Sequence, residues 1–241
     1  MSRVFYSKPD ADMAAAGEQA RASFRYFWRE LAWERRRIVP GLALASVKAP
    51  FADGENVEHM WVGEVDFDGR DIYGELLNAP NQLRNVHQGD RVKLPLAEVG
   101  DWMYVLIKEV FGAYTVQLLR SRMSERERKS HDKAWGLDFG DPKQVLVVPE
   151  SFGGLDAEHP MSENCGPSFD KQLAGAPEIV NDPDENGWTL LHHQALAGSA
   201  ATVRALLANG ANTRAKTKDG RTALDLARAM GWPRIISLLT Q

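Results

Sequence analysis

The chain has 241 residues, of which 44% are hydrophobic and 26% charged, with a formal net charge of −4. This is enough chain for one large domain or two small ones, and the composition excludes a disordered or fibrous protein. No apolar run approaches the ~20 residues of a membrane span; the start of the chain holds no apolar leader segment; and a single cysteine, Cys165, excludes an internal disulfide. The expectation is a cytoplasmic protein with neither a membrane nor a nucleic-acid partner, since no aromatic-interleaved basic stripe is present.

Met13, Ala16, Ala20, Phe24, Phe27, Trp28 and Leu31 recur at three- and four-residue spacing. They predict an amphipathic helix capped by Asp10 or Asp12. Arg35, Arg36 and Arg37 suit its C-terminal dipole, and Pro40-Gly41 end it. Strands are predicted over 42–49 and 57–67. In the latter, alternation places His59, Trp61, Val65 and Phe67 on one face and Glu58, Met60, Val62 and Glu64 on the other. Asp68-Gly69 is a hairpin signal leading into 72–77. Further strands are expected over 91–94, 102–108, 114–119 and 144–148, with a charged surface helix over 121–133. The fold class that follows is α+β, an N-terminal helix packed on a twisted antiparallel sheet.

Several motifs of this half occur together: Val57-Glu58-His59-Met60-Trp61-Val62, Gly74-Glu75-Leu76-Leu77-Asn78-Ala79-Pro80, Gln88-Gly89-Asp90, Asp101-Trp102-Met103-Tyr104 and Gly112-Ala113-Tyr114-Thr115. With the lead-in helix they resemble the YegJ-like bacterial domain family, over about residues 10–123. The resemblance implies a domain boundary and carries over no activity.

The residues therefore have to be read for their chemistry. Glu58 and His59 are adjacent on a strand and point to opposite faces, so they do not act on one substrate together. A pairing of either with Asp101 needs neighbouring strands. The bland reading gives His59 and Asp101 to hydrogen bonds that fix the sheet. A small-molecule or hydrolytic pocket lined by His59, Asn78, Asp101, Trp102 and Tyr104 is the alternative functional reading. The six histidines show no ligand spacing, and neither a phosphate loop nor a nucleophile elbow appears, so neither metal nor cofactor is expected. Cys165 lies in a Gly- and Pro-containing stretch, 149–168, read as linker.

The charge is unevenly distributed. Residues 150–185 carry nine acidic side chains and one basic, and residues 186–241 carry seven basic and two acidic. An acidic linker, 149–177, thus precedes a basic C-terminal segment, with 169–174 as a possible capping helix. In that segment Gly187-Trp188-Thr189-Leu190-Leu191-His192 matches Gly220-Arg221-Thr222-Ala223-Leu224-Asp225 at a spacing of 33 residues. Gly198 matches Gly231, and Leu206-Leu207-Ala208-Asn209-Gly210-Ala211 closes a helix on glycine. The pattern resembles the ankyrin repeat over residues 178–241, with Leu190 and Ala223 replacing the family's proline. Thr189 and Thr222 are expected to cap helices. His192 is expected to bond a neighbouring loop. The resemblance implies protein binding through Asn186, Trp188, His193, Lys218 and Arg221. The reading is a non-enzymatic interaction protein, in its narrowest form an immunity or antitoxin-type protein masking a toxin or effector.

Overall fold

The computed structural model describes residues 10–241. The first nine residues, on which the reading of a leaderless start depends, lie outside the described residues. No helix among the described residues is long and apolar enough to cross a membrane. The chain divides into two compact units: residues up to Phe27 with Arg37–Val147, and Trp28–Arg36 with Val148–Gln241. Helix α1 (Ala11–Glu34) gives its first seventeen residues to the first unit and its remainder to the second.

In the first unit Asp10 Oδ1 accepts the N–H groups of Asp12 (3.1 Å) and Met13 (3.3 Å), capping α1. The sheet has six antiparallel strands in the order β4-β3-β2-β1-β5-β6. They are β1 (Leu42–Asp53), β2 (Asn56–Phe67), β3 (Asp71–Leu76), β4 (Arg91–Pro95), β5 (Asp101–Leu106) and β6 (Glu109–Gly112). On one face, Phe24 meets Phe67 edge-on at 5.1 Å and Phe27 lies 5.7 Å from Trp102. The Trp102 indole donates to the Ala20 carbonyl at 2.8 Å, which satisfies that buried donor. Trp102, Tyr104 and Phe111 stack across β5 and β6. On the other face Met103, Val105, Val110, Val116 and Phe139 form a second core, with Leu44 and Trp61 packed against it.

Three local expectations are corrected. Residues 114–119 form no strand; they lie in helix α2 (Tyr114–Ser121), because Ala113 takes a left-handed φ of 56° that breaks the extended chain. Residues 144–148 are irregular, although Leu146 accepts the Gly112 N–H at 2.7 Å. The return strand is β6, reached through Ile107 and Lys108, whose positive φ values of 50° and 75° make a primed hairpin turn without the usual glycine. Finally, β2 does not alternate evenly. Its register against β3 shifts between Gly63 and Asp66, and Glu64 has φ 47°. Met60 and Val62 are buried before this bulge and Val65 and Phe67 after it. One extra residue reverses the parity, so Trp61 faces the second core and does not join Phe67 on the α1 face. Beyond the sheet, α3 (Glu125–Trp135) starts in a Ser124/Glu127 capping box. Buried Arg120 holds it by paired hydrogen bonds to Asp132 at 2.9 and 2.7 Å.

The second unit contains α4 (Pro160–Gly175), α5 (Leu190–Ala197), α6 (Ala200–Ala208), α7 (Ala223–Met230) and α8 (Pro233–Leu239). The stretch 149–168 is thus no simple linker, since α4 starts within it. Pro160 occupies the first turn, where its missing N–H costs nothing, and His159 Nδ1 accepts the Met161 N–H at 3.1 Å. Two acids of the acidic segment are engaged: Glu158 accepts the Ala201 N–H and Asp170 the Asn209 amide. The end of α1 is fastened here. His159 Nε2 donates to the Glu30 carboxylate at 3.0 Å with both side chains buried, and the imidazole stacks on Trp33 at 5.7 Å. The two repeats close their first helices on Gly198 and Gly231, both left-handed.

Candidate functional site

The sheet places the first set of candidates by register. Lys48 on β1 pairs with Trp61 on β2 and with Asp101 on β5, while Pro50 pairs with His59. Directly opposed residues share a face, so His59, Trp61, Lys48 and Asp101 lie on the side of the second core. Strand β1 separates β2 from β5. The neighbouring-strand condition for a pairing of His59 or Glu58 with Asp101 is therefore not met.

Asp101 is fully buried and accepts four hydrogen bonds: from the N–H groups of Trp102 (2.9 Å), Tyr114 (2.9 Å) and Thr115 (2.8 Å), and from the Thr115 hydroxyl (2.5 Å). It caps the start of α2, where free N–H groups attract an anion. Burial pushes its carboxyl up, against the opposing effect of these hydrogen bonds and of the nearby Lys48 ammonium. Burial pushes Lys48 down, and its ammonium sits 5.7 Å from the Trp61 ring. Partial desolvation and the Lys48 charge hold the His59 imidazole below its ordinary range.

The predicted pocket of five residues is not assembled. Trp102 and Tyr104 are buried on the α1 face, opposite Asp101, because successive side chains on β5 alternate. Asn78 is exposed, and its Oδ1 accepts the Trp61 N–H at 3.0 Å. Glu58 accepts the N–H groups of Asn81, Gln82 and Leu83 and so pins that loop, which holds its carboxyl below the usual range. The carboxylates proposed for acid–base work are thus bound to backbone. Sequence reasoning missed Lys48 and Thr115. The only available signal was a lone charge in the otherwise apolar start of β1.

The second set comes together. Asp184 Oδ1 accepts the N–H groups of Asn186 (2.8 Å) and Trp188 (2.9 Å), shaping the first repeat's tip. The Lys218 N–H donates to the Asn186 carbonyl at 2.9 Å and ties the second tip to it. The Arg221 guanidinium lies 5.6 Å from the centre of the Trp188 ring, and His193 packs on the same ring system at 5.0 Å. His193 also reaches Asp184 at 3.4 Å. Asn186, His193 and Lys218 are exposed and Arg221 is half-buried, whereas Trp188 is 9% exposed and serves as the platform the others stand on. Beneath them His192 Nδ1 accepts the Thr189 N–H at 3.0 Å, and its Nε2 bonds the Ala215 carbonyl at 3.1 Å, joining the first repeat to the loop before the second. That pattern requires a neutral ring with its proton on Nε2. Burial accordingly holds the His192 pKa below the ordinary range. No cluster of metal-ligating side chains occurs among the described residues.

Residues 10–139 match the family described as "Uncharacterized protein conserved in bacteria (DUF2314)", and residues 172–227 match ankyrin repeats. A Neisseria meningitidis serogroup B protein named for its ankyrin repeats is 46% identical over 245 residues, covering 99% of this chain and 97% of its own. Escherichia coli YegJ is 32% identical over 74 residues, 31% of this chain and 48% of its own. A chain in the solved complex of a predatory endopeptidase from Bdellovibrio bacteriovorus with an immunity protein is 21% identical, covering 52% of this chain and 62% of its own with a TM-score of 0.30. A likeness at that level carries no argument about fold or partner. With a family match across more than half of its length and a relative aligned end to end, this chain belongs to the bacterial DUF2314 family and carries an ankyrin-repeat module after the family domain.

Proposed function

We propose that the protein is a non-enzymatic binding protein that docks another protein on the tip face formed by Asn186, His193, Lys218 and Arg221. The observation that carries this reading is the Arg221–Trp188–His193 stack, which fixes exposed polar groups on a rigid aromatic base. The two tips are already tied together by the Lys218–Asn186 hydrogen bond, so little ordering entropy opposes docking. The engagement of Asp101 and Glu58 by backbone N–H groups supports a first unit without acid–base chemistry. On this reading the protein works in the cytoplasm and uses neither nucleic acid nor membrane.

The test is affinity capture from native lysate with the intact chain and a double variant, Asn186→Arg with Lys218→Glu, both exposed positions. A stoichiometric protein should be retained by the parent and lost by the variant at unchanged melting temperature. Equal retention by both would move the docking face elsewhere. The narrower form, masking of a toxin or effector, is tested on the captured partner: its activity should fall in proportion to added protein and recover with the double variant.

A further inference from the structure

The second unit holds a cleft of about 390 Å³ between the end of α1, α4 and α5. Trp33, Met161, Phe169 and Leu190 give it an apolar side, and Ser168, Gln172, Gln194 and Thr202 a polar one. One cation enters it. Arg36 donates to Gln194 Oε1 at 3.0 Å and lies 4.7 Å from the Trp33 ring, and Gln194 is itself held by the Thr202 hydroxyl at 2.9 Å. No carboxylate pairs with Arg36 among the described residues. Arg36 is exposed at the mouth of the cleft, and four of its five N–H donors bond no side chain or backbone oxygen among the described residues. Trp33, 2% exposed, adds a buried indole N–H that has no acceptor among the described residues. The half-buried thiol of Cys165 lies on the same wall.

A guanidinium oriented by Gln194 and Trp33, without a carboxylate partner, at the mouth of a partly apolar cleft is placed to take an anion. A single positive charge matches a single negative one, and the volume falls within the range of small-molecule sites. We propose that this cleft binds a small organic monocarboxylate, its carboxylate taken by Arg36 and its apolar body lying against Trp33, Met161, Phe169 and Leu190. Because Arg36 is pinned by Gln194 and stacked on Trp33, the donor fork is set before the ligand arrives, and lysine cannot substitute for it.

Cys165 provides a local readout, since it is the only cysteine in the chain. The rate of its alkylation by iodoacetamide, followed by mass spectrometry on the intact protein, reports occupancy of this cleft. Octanoate and 3-phenylpropionate should slow alkylation in a saturable manner. Octanol and 3-phenylpropanol, which match them in apolar body, should protect at about tenfold higher concentration or not at all, the difference expected for a charge-assisted hydrogen-bonded pair. Arg36→Gln should abolish the preference for the acid. Should that variant fail to fold, the acid–alcohol comparison in the parent chain still decides the matter. The proposal is overturned if neither acid slows alkylation up to its solubility limit, or if acid and alcohol protect equally.

Discussion

The two units handle buried polar groups in opposite ways. The first unit uses a carboxylate: Asp101 gathers four donors at the start of α2 and is kept by burial above its ordinary pKa. The second uses imidazoles: His159 and His192 each accept a backbone N–H through Nδ1 and bond an oxygen through Nε2. The difference follows from what each site must join. A helix start offers only donors, which an acceptor-only group satisfies. A junction between elements offers an N–H on one side and an oxygen on the other, which a neutral imidazole bridges because one ring nitrogen accepts while the other donates. Chain separation also differs. Asp101 joins residues close in sequence, whereas His159 joins Glu30 across 129 positions, so the repeat module draws its support from far upstream.

That last contrast gives the largest expected effect. A fragment of residues 178–241 lacks Leu173, His159 and the end of α1, and should be largely unfolded by circular dichroism, as two repeats without a cap have too little core. A cooperative melt of the fragment would break the comparison. Next is Asp101→Ala, which strands the Thr115 hydroxyl and up to three backbone donors. We expect a loss of about 4 kcal/mol in urea denaturation, with hydrogen exchange accelerated first in α2 and β5. Loss of protection in α5 to α8 instead would show that the units do not respond separately.

Two glycines sharpen the point. A Cβ at Gly112 would lie 2.3 Å from the Trp102 carbonyl oxygen, a backbone atom, while one at Gly198 would lie 2.5 Å from the Trp232 ring. Both positions also have positive φ. Gly112→Ala should destabilise by about 3 kcal/mol or more and Gly198→Ala by less, because a side chain gives way more readily than a β-strand backbone.

The smallest effect is pH-dependent and opposite in sign between the units. His192 has a depressed pKa in the folded state, so its contribution is present above the ordinary value of 6.5 and is lost as pH falls through the lower folded value. Asp101 has a raised folded pKa, so its contribution is present below the ordinary 3.8 and is lost as pH rises through the raised value. Between pH 7.5 and 5, exchange protection should fall around α5 by an amount corresponding to at most about 1 kcal/mol, and His192→Asn should flatten that slope.

Much of the architecture was legible. The helix stripe from Met13 to Leu31, the Asp68-Gly69 hairpin and the 33-residue repeat depend on local periodicity and turn chemistry, which a sequence carries openly. The Ile107-Lys108 turn was not, because neither residue favours positive φ and cross-strand pairing imposes it. The bulge in β2 left a trace, the change from Met60 and Val62 to Val65 and Phe67, but its meaning depends on which face is buried.

The candidate sites divide along the same line. Sequence alone determined that Asn186, Trp188, His193, Lys218 and Arg221 belong to two equivalent tips, since a repeat transfers position from one copy to the next. Only the tertiary structure decided that Trp188 is the buried base of that face, that Asp101 gathers the N–H groups at the start of α2, and that Arg36 shares a cleft with Cys165 from 129 residues away. Periodicity fixes which way a side chain faces its own element. It does not fix what another element brings to meet it, because that depends on packing between segments whose order in the chain carries no such information.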